Sequence, residues 1–415
     1  MSENKSHVVL EREEFLEERR IGRYLRAIAR DKSLYDPSYQ VTRAVNSGDN
    51  FVSDVYRVTI EGAKNRKMES IHLIVKCAPI DLRRDFIKIR KIFLQEIYFY
   101  KEILPIFNNF LRNYNMSIDN IPLMYKYSDT DKEEILILED LKVKNYIMKE
   151  TKFLDYPHAR LALRSLGKFH AYSFAIRVKD PEAFKILKLI NEPLFYRETS
   201  RFINQDMYAR TKALCDIVEK SLENEDKRYQ EKFREFAKNI FNIMIEIVQG
   251  SNAEPYAVVN HGDAWTNNFL FKYKENERTY EPEDLCFLDF QICRYASPVL
   301  DICYTLFCST LYEIRNENYD ELLRNYYDSF SKCLESLDCN PRELFPYEIL
   351  LEHIERFGKF AAVMAIHVLH LFTDQDENIT TSVDVNVYYK KLKKNNFYRN
   401  TLTNTFKEFI DRNII

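Results

Sequence analysis

The stretch from Tyr256 to Gln291, YAVVNHGDAWTNNFLFKYKENERTYEPEDLCFLDFQ, sets His, Asp and Asn residues between short apolar runs. Tyr256 to Val259 reads as a buried strand that enters the polar turn His261-Gly262-Asp263, where glycine permits backbone angles that other residues resist. Asn268 opens a second apolar run, Phe269 to Phe271. After the hydrophilic connection Lys274 to Glu283, a third run, Leu285 to Leu288, delivers Asp289. Two such runs form a hairpin, and a hairpin brings the start of one strand beside the end of its partner. Asn268 and Asp289 then converge and present the hard oxygen ligands that Mg²⁺ prefers alongside phosphates. Asp263, five residues before Asn268, is left to act as a base.

The order Asp263-x4-Asn268, then Asp289-Phe290-Gln291, resembles the catalytic loop and metal-binding segment of protein-kinase-like phosphotransferases. His261-Gly262-Asp263 stands where protein kinases carry HRD, and Gln291 where DFG has its glycine. HGD is the form of the small-molecule branch, the aminoglycoside and choline kinases. Within that branch HGDAWTNN (261–268), LDFQICRYASPVLDI (288–302) and the upstream ILEDL (137–141) are similar to the ecdysteroid kinase-like (CHK-type) family of arthropods. Asp263 and Asp289 as simple turn caps would account for one motif, but not for several in the expected order.

The resemblance implies an α+β, two-lobed, protein-kinase-like fold. Residues 1–141 would form a small lobe with an antiparallel sheet, and residues 142–415 a larger, mostly helical lobe, with ATP and Mg²⁺ between them. In that frame Asp263 is the catalytic base, and Asn268 and Asp289 hold metal. Lys76 pairs the phosphates, steadied by Glu96 on the following helix. Asp301 braces the catalytic loop. The turn Ser47-Gly48-Asp49-Asn50 is the nucleotide-covering loop, and with one glycine in place of a Gly-rich motif its amides need help from Ser47, Asn50 or Ser53 in holding phosphate oxygens. Main-chain groups at Glu139 and Leu141 would meet the adenine edge. The acceptor would be a hydroxyl on a bulky apolar molecule such as an ecdysteroid. A choline or ethanolamine kinase, or an inactive binding module of the same shell, are the alternatives.

The rest of the chain fits this frame. Tyr39 to Asn46 and Ser53 to Ile60 read as strands, as does Ile71 to Ala78, in which Lys76 shares a face with His72 and Ile74. Asp85 to Phe107 has helical spacing and is expected to end near Pro105; Pro157 to Arg177 is a second helix, in which His170 is expected to be a satisfied core group. Ala183 to Gly250 reads as helical throughout, and Leu351 to Phe372 as one buried helix. Glu11 to Arg30 is an amphipathic helix. Trp265, the lone tryptophan, is expected to wedge the catalytic loop in place.

With 415 residues, 46% hydrophobic and 30% charged, the composition is that of a globular protein with more than one core. A net charge of −3 gives no sequence-wide case for nucleic acid or an anionic membrane. MSENKSHVVLEREEF lacks an apolar segment of the secretory kind, no run is long enough for a bilayer, and the eight cysteines show no CxxC spacing, so a cytoplasmic protein with reduced thiols is expected. Composition is silent on oligomeric state.

Overall fold

The computed structural model describes residues 21–44, 53–79, 89–195, 205–274, 281–373 and 385–415. The chain divides into two compact units: a smaller one of Met1–Lys101 and Asp119–Ile147, and a larger one of Glu102–Ile118 and Met148–Ile415. The expected α+β class is what the structure shows, with an antiparallel sheet in the first unit and mostly helices in the second.

In the small unit, β1 (Tyr35–Arg43), β2 (Asp54–Lys64), β3 (Lys67–Cys77), β4 (Met124–Ser128) and β5 (Ile135–Glu139) form an antiparallel sheet in the order β1-β2-β3-β5-β4. The β2–β3 turn is two residues, Asn65 and Arg66, both at positive φ. That geometry matches the right-handed twist of the strands it joins. Period-two alternation puts Leu73, Val75 and Cys77 of β3 into the core with Val58 and Ile60 of β2. The same core takes Ile21, Leu25 and Ile28 from helix α1 (Ile21–Asp31), which is the described part of the expected amphipathic helix. Lys76 belongs to the opposite face of β3, opposite Val55 and Leu136.

The helix expected over Asp85 to Phe107 differs from that reading. Helix α2 (Ile89–Tyr98) passes through a π-turn, Phe99–Ile103, into α3 (Leu104–Arg112). Pro105 begins a helix instead of ending one, because in a first turn its missing N–H leaves no bond unmade.

After the short strand β6 (Tyr146–Met148), the large unit is built on α4 (Tyr156–Lys179), longer by a few residues than expected. In the segment expected to be helical throughout, the described residues form α5 (Pro181–Leu187), α6 (Gln205–Ser221), α7 (Lys227–Lys238) and α8 (Ile240–Ile247), with non-helical residues between them. Helix-capping chemistry sets two of their starts, since the Asp180 and Asp226 carboxylates accept the amides of Ala183 and Arg228 at the heads of α5 and α7. Next come β7 (Val258–Asn260), a 3₁₀ turn at Thr266–Asn268, and the hairpin β8 (Phe269–Tyr273) and β9 (Pro282–Phe287), paired from Phe269 opposite Phe287. Strand β10 (Arg294–Ala296) returns antiparallel to β7. Helices α9 (Val299–Ser309) and α10 (Tyr312–Ser336) follow, and α10 packs along α4. Their approach needs Gly167, where a Cβ would lie 2.5 Å from the Tyr326 carbonyl oxygen. The expected buried helix over Leu351 to Phe372 is split at Gly358 into α11 (Tyr347–Phe357) and α12 (Lys359–Thr373), and α13 (Val385–Leu392) and α14 (Asn396–Asp411) close the chain. Among the described residues no helix is long and apolar enough to cross a membrane, and the eight cysteines are free thiols.

Candidate active site

The large unit assembles its polar groups around the turn between β7 and the 3₁₀ segment. Gly262 has φ +89°, and a Cβ there would stand 1.9 Å from the Ile292 carbonyl oxygen. The turn therefore depends on the glycine. Asp301, wholly buried on α9, accepts the His261 amide at 2.6 Å on one carboxylate oxygen and the Gly262 amide at 2.9 Å on the other. So Asp301 caps the loop and not its own helix. Burial pushes its pKa up, but His170, His261 and the Gly262 amide outweigh that and hold it below the usual carboxylate value. His170 is fully buried, with Nε2 3.1 Å from Asp301 and Nδ1 2.9 Å from the Tyr326 hydroxyl, and is the satisfied core group expected.

Asp263 is held from both sides. Tyr304 donates its hydroxyl to Oδ1 at 3.0 Å, and Asn268 donates Nδ2 to Oδ2 at 2.8 Å and to the Asp263 carbonyl at 2.9 Å. Burial and the nearby charge of Asp289 push the Asp263 carboxyl up to about 6, against the pull of Tyr304, Asn268 and Arg294. Because Asn268 spends its amide nitrogen on Asp263, its Oδ1 is the atom with a lone pair to offer elsewhere. The Leu288 amide donates to the Asn268 carbonyl at 2.9 Å, which fixes the start of β8 beside the end of β9. Asp289 follows at once, at φ +67°.

His261 ties these two segments together. Its Nδ1 accepts the Asp263 amide at 3.2 Å and its Nε2 donates to the Leu288 carbonyl at 2.8 Å, which specifies the neutral Nε2–H tautomer. Burial, lowering its pKa, favours the same neutral form. The ring packs on Phe290, centroid to centroid 4.5 Å. Further along the loop, Thr305 donates to the Ala264 carbonyl at 2.7 Å and the Thr266 amide donates to Ser309 at 3.2 Å. Trp265 lies against Phe372 at 5.0 Å, consistent with a wedge that steadies the loop.

In the small unit, Lys76 Nζ contacts both carboxylate oxygens of Glu96, at 2.8 and 2.9 Å, and both residues are buried. The pair joins β3 to α2. Ser53 is buried next to the start of β2, whereas Ser47, Gly48 and Asn50 lie outside the described residues. At the strand end, the amides of Glu139 and Asp140 are taken by the carbonyls of Leu123 and His72, at 2.9 and 3.0 Å. Asp140 then caps a 3₁₀ turn at Leu141–Lys144 through the Lys142 amide.

Among the described residues no group of three or more His, Cys, Asp or Glu side chains is placed to hold a metal alone. The donor set of Asn268 Oδ1 and the Asp289 carboxylate nevertheless suits Mg²⁺, which takes few protein oxygens and completes its shell with phosphate and water. Four residues of this region carry contacts that the sequence did not single out: Tyr304, Arg294, Glu192 and, in its bridging role, His261. His261 had a local signal in the HGD triplet and Arg294 in the run 288–302, whereas Tyr304 and Glu192 had none.

A family model described as the ecdysteroid kinase-like family matches residues 47–339. No curated protein matches the chain. Among solved structures, a Ralstonia eutropha protein assigned as an aminoglycoside phosphotransferase aligns over 94% of this chain and 98% of its own, at 11% identity and a TM-score of 0.40. The GDP complex of aminoglycoside 2′-phosphotransferase-IIIa aligns over 95% and 98%, at 10% identity and a TM-score of 0.38.

Proposed function

The chain belongs to the ecdysteroid kinase-like family, a family of kinase-like small-molecule phosphotransferases, and on that premise we propose that it transfers a phosphoryl group from ATP to a hydroxyl of an apolar, steroid-like alcohol. The observation that carries this reading is the Asp263 carboxylate, gripped by Tyr304 and Asn268 at the mouth of the hairpin that ends in Asp289. A carboxylate fixed on both oxygens and poised near neutrality suits an acceptor hydroxyl, whose proton it orients and receives.

Asn268 Oδ1 and Asp289 would hold Mg²⁺, which when bound neutralises charge on the transferring phosphates. Lys76 adds a point charge for the same phosphates, and Glu96 holds its ammonium on both carboxylate oxygens. Ser47, Gly48, Asn50 and Ser53 would cover the nucleotide with amides and hydroxyls. At the end of β5, with the Glu139 and Asp140 amides engaged, the Leu141 amide, in a first turn, is the donor for the adenine edge and the Glu139 carbonyl its companion acceptor. An inactive binding module would not need the Lys76–Glu96 pair and the Asp263 cradle together.

The test is Mg²⁺-dependent ATP consumption by purified protein with ecdysone, choline or ethanolamine as acceptor. Turnover with ecdysone and not with choline is expected. Asp289→Ala should cut it by about 10²–10³-fold through loss of charge compensation, and Asp263→Asn by about 10²–10⁴-fold with ATP affinity kept. Saturable phosphorylation of choline alone would replace the steroid reading, and full turnover in Asp289→Ala would end the metal assignment.

A further inference from the structure

Arg294 is wholly buried, one of two such arginines among the described residues of the large unit, and the reaction as described does not use it. Its Nε donates to Glu192 at 2.6 Å and its Nη1 to the Gly262 carbonyl at 3.3 Å, the residue before Asp263. The guanidinium carbon lies 5.2 Å from the centre of the Phe360 ring and 5.8 Å from that of Phe195. Nη2 is buried with no hydrogen-bond partner. Glu192 in turn accepts the Leu194 and Phe195 amides on its other oxygen, at 2.9 and 3.0 Å.

Stability alone is a poor account of this arrangement. A buried ion pair is often no better than apolar residues of the same volume, and a buried donor left unpaired is a cost. Position explains it better. Gly262 has no room for a side chain against the Ile292 carbonyl, so the loop cannot anchor itself there; the anchor arrives from β10, two residues beyond Ile292. With Nε held by Glu192, the rigid fork fixes the place of Nη1, and Nη1 in turn holds the Gly262 carbonyl and with it the origin of the Asp263 side chain.

We propose that the Glu192–Arg294 pair is a second positioning device of the catalytic loop, beside α9: Arg294 holds the Gly262 carbonyl, and through it Asp263, while Glu192 couples the segment 191–195 to that hold. The inference rests on the phosphotransferase reading of Asp263. Lysine cannot reproduce the fork, because it offers one compact charge instead of two fixed donors.

The test measures Mg²⁺-dependent ATP turnover in Arg294→Lys, Glu192→Gln and the double variant, with circular dichroism to confirm folding. Arg294→Lys should lower kcat at least tenfold while KM for ATP stays within twofold. Glu192→Gln should do the same to a smaller degree, and Glu192→Asp should recover part of the loss. The double variant should be no worse than Arg294→Lys, since the two residues act as one unit. Should Arg294→Lys fail to fold, Glu192→Gln, which keeps the arginine, decides. A folded variant with kcat within twofold of wild type, a loss that multiplies in the double variant, or KM rising in step with the fall in kcat would overturn the proposal. Absence of turnover in the wild type would count instead against the phosphotransferase reading.

Discussion

Single residues here carry two separable burdens, conformation and charge. Gly262 carries the first. Alanine at this position meets both a positive φ and a carbonyl oxygen 1.9 Å from its Cβ, so the loop must move. Backbone strain alone costs about 1–3 kcal/mol, and we expect Gly262→Ala to lower the unfolding free energy by at least that much and to abolish turnover; an alanine variant as stable as wild type would show that the turn is looser than described. Lys76 and Glu96 carry charge. Lys76→Met takes the ammonium away from a buried carboxylate, a loss of up to about 3–5 kcal/mol, whereas Lys76→Met with Glu96→Leu should regain most of that stability without regaining ATP affinity. Urea unfolding and nucleotide titration of the two variants read the burdens separately, and equal stability of both would mean that the Glu96 charge is held without Lys76.

At the scale of elements, α9 is the part that organises the site. Asp301, Tyr304, Thr305 and Ser309, at spacings of three, four and eight, share one face of the helix, and each bonds a different point of the loop between His261 and Thr266 or the Asp263 carboxylate. Tyr304→Phe removes a single hydrogen bond to an ionisable group, worth about 1.5–3 kcal/mol, and should slow turnover about tenfold or more with little change in ATP affinity; unaltered kcat would mean that Asn268 alone holds Asp263. Helix and hairpin explain what could be read in the sequence. HGD, the Asn five residues on and the DFQ after an apolar run are local patterns, and the antiparallel ladder from Phe269 and Phe287 brings their ends together as the alternation implied. Lys76 with Glu96 was legible as well, one from strand alternation together with family order and the other from family order. Tyr304 was not, being one of 28 tyrosines and lying in a mostly apolar helix where an aromatic reads as core. Nor was Glu192, whose partner lies 102 residues away and is set by the path of the chain and by no periodicity. Element boundaries failed where a cap or a first-turn proline, which sequence reads equally as stop or start, decided them: Pro105, Asp226 and Gly358.

Across the large unit as a whole, histidines buried in the neutral form set the response to acid. His353 on α11 is boxed by the rings of Tyr256, Phe345 and Phe357, bonds Ser297 at 2.9 Å, and has its pKa lowered to about 4 by burial and by Arg356. His367 on α12 is partly exposed at its edge, yet its Nε2 is buried without a partner, and burial lowers it to about 4 as well. An unfolded chain takes up protons at these residues near pH 6.5, and the folded chain does not until about pH 4. Between those values the unfolded state binds more protons, so stability is complete above pH 6.5 and is lost as pH falls toward 4. For His353 alone the drop from pH 7 to pH 5 is about 2 kcal/mol. Asp263, raised by burial, opposes this in part below pH 6, since its folded form takes up a proton first. Trp265 is the lone tryptophan and sits in the large unit, so urea unfolding followed by its fluorescence reports that unit. We expect the wild type to lose about 2 kcal/mol or more between pH 7 and pH 5, and His353→Gln, which keeps a partner for Ser297 but cannot titrate, to lose about 2 kcal/mol less over the same interval. Parallel losses in the two proteins would show that His353 is already protonated in the folded state, and that the ring box around it is open to solvent.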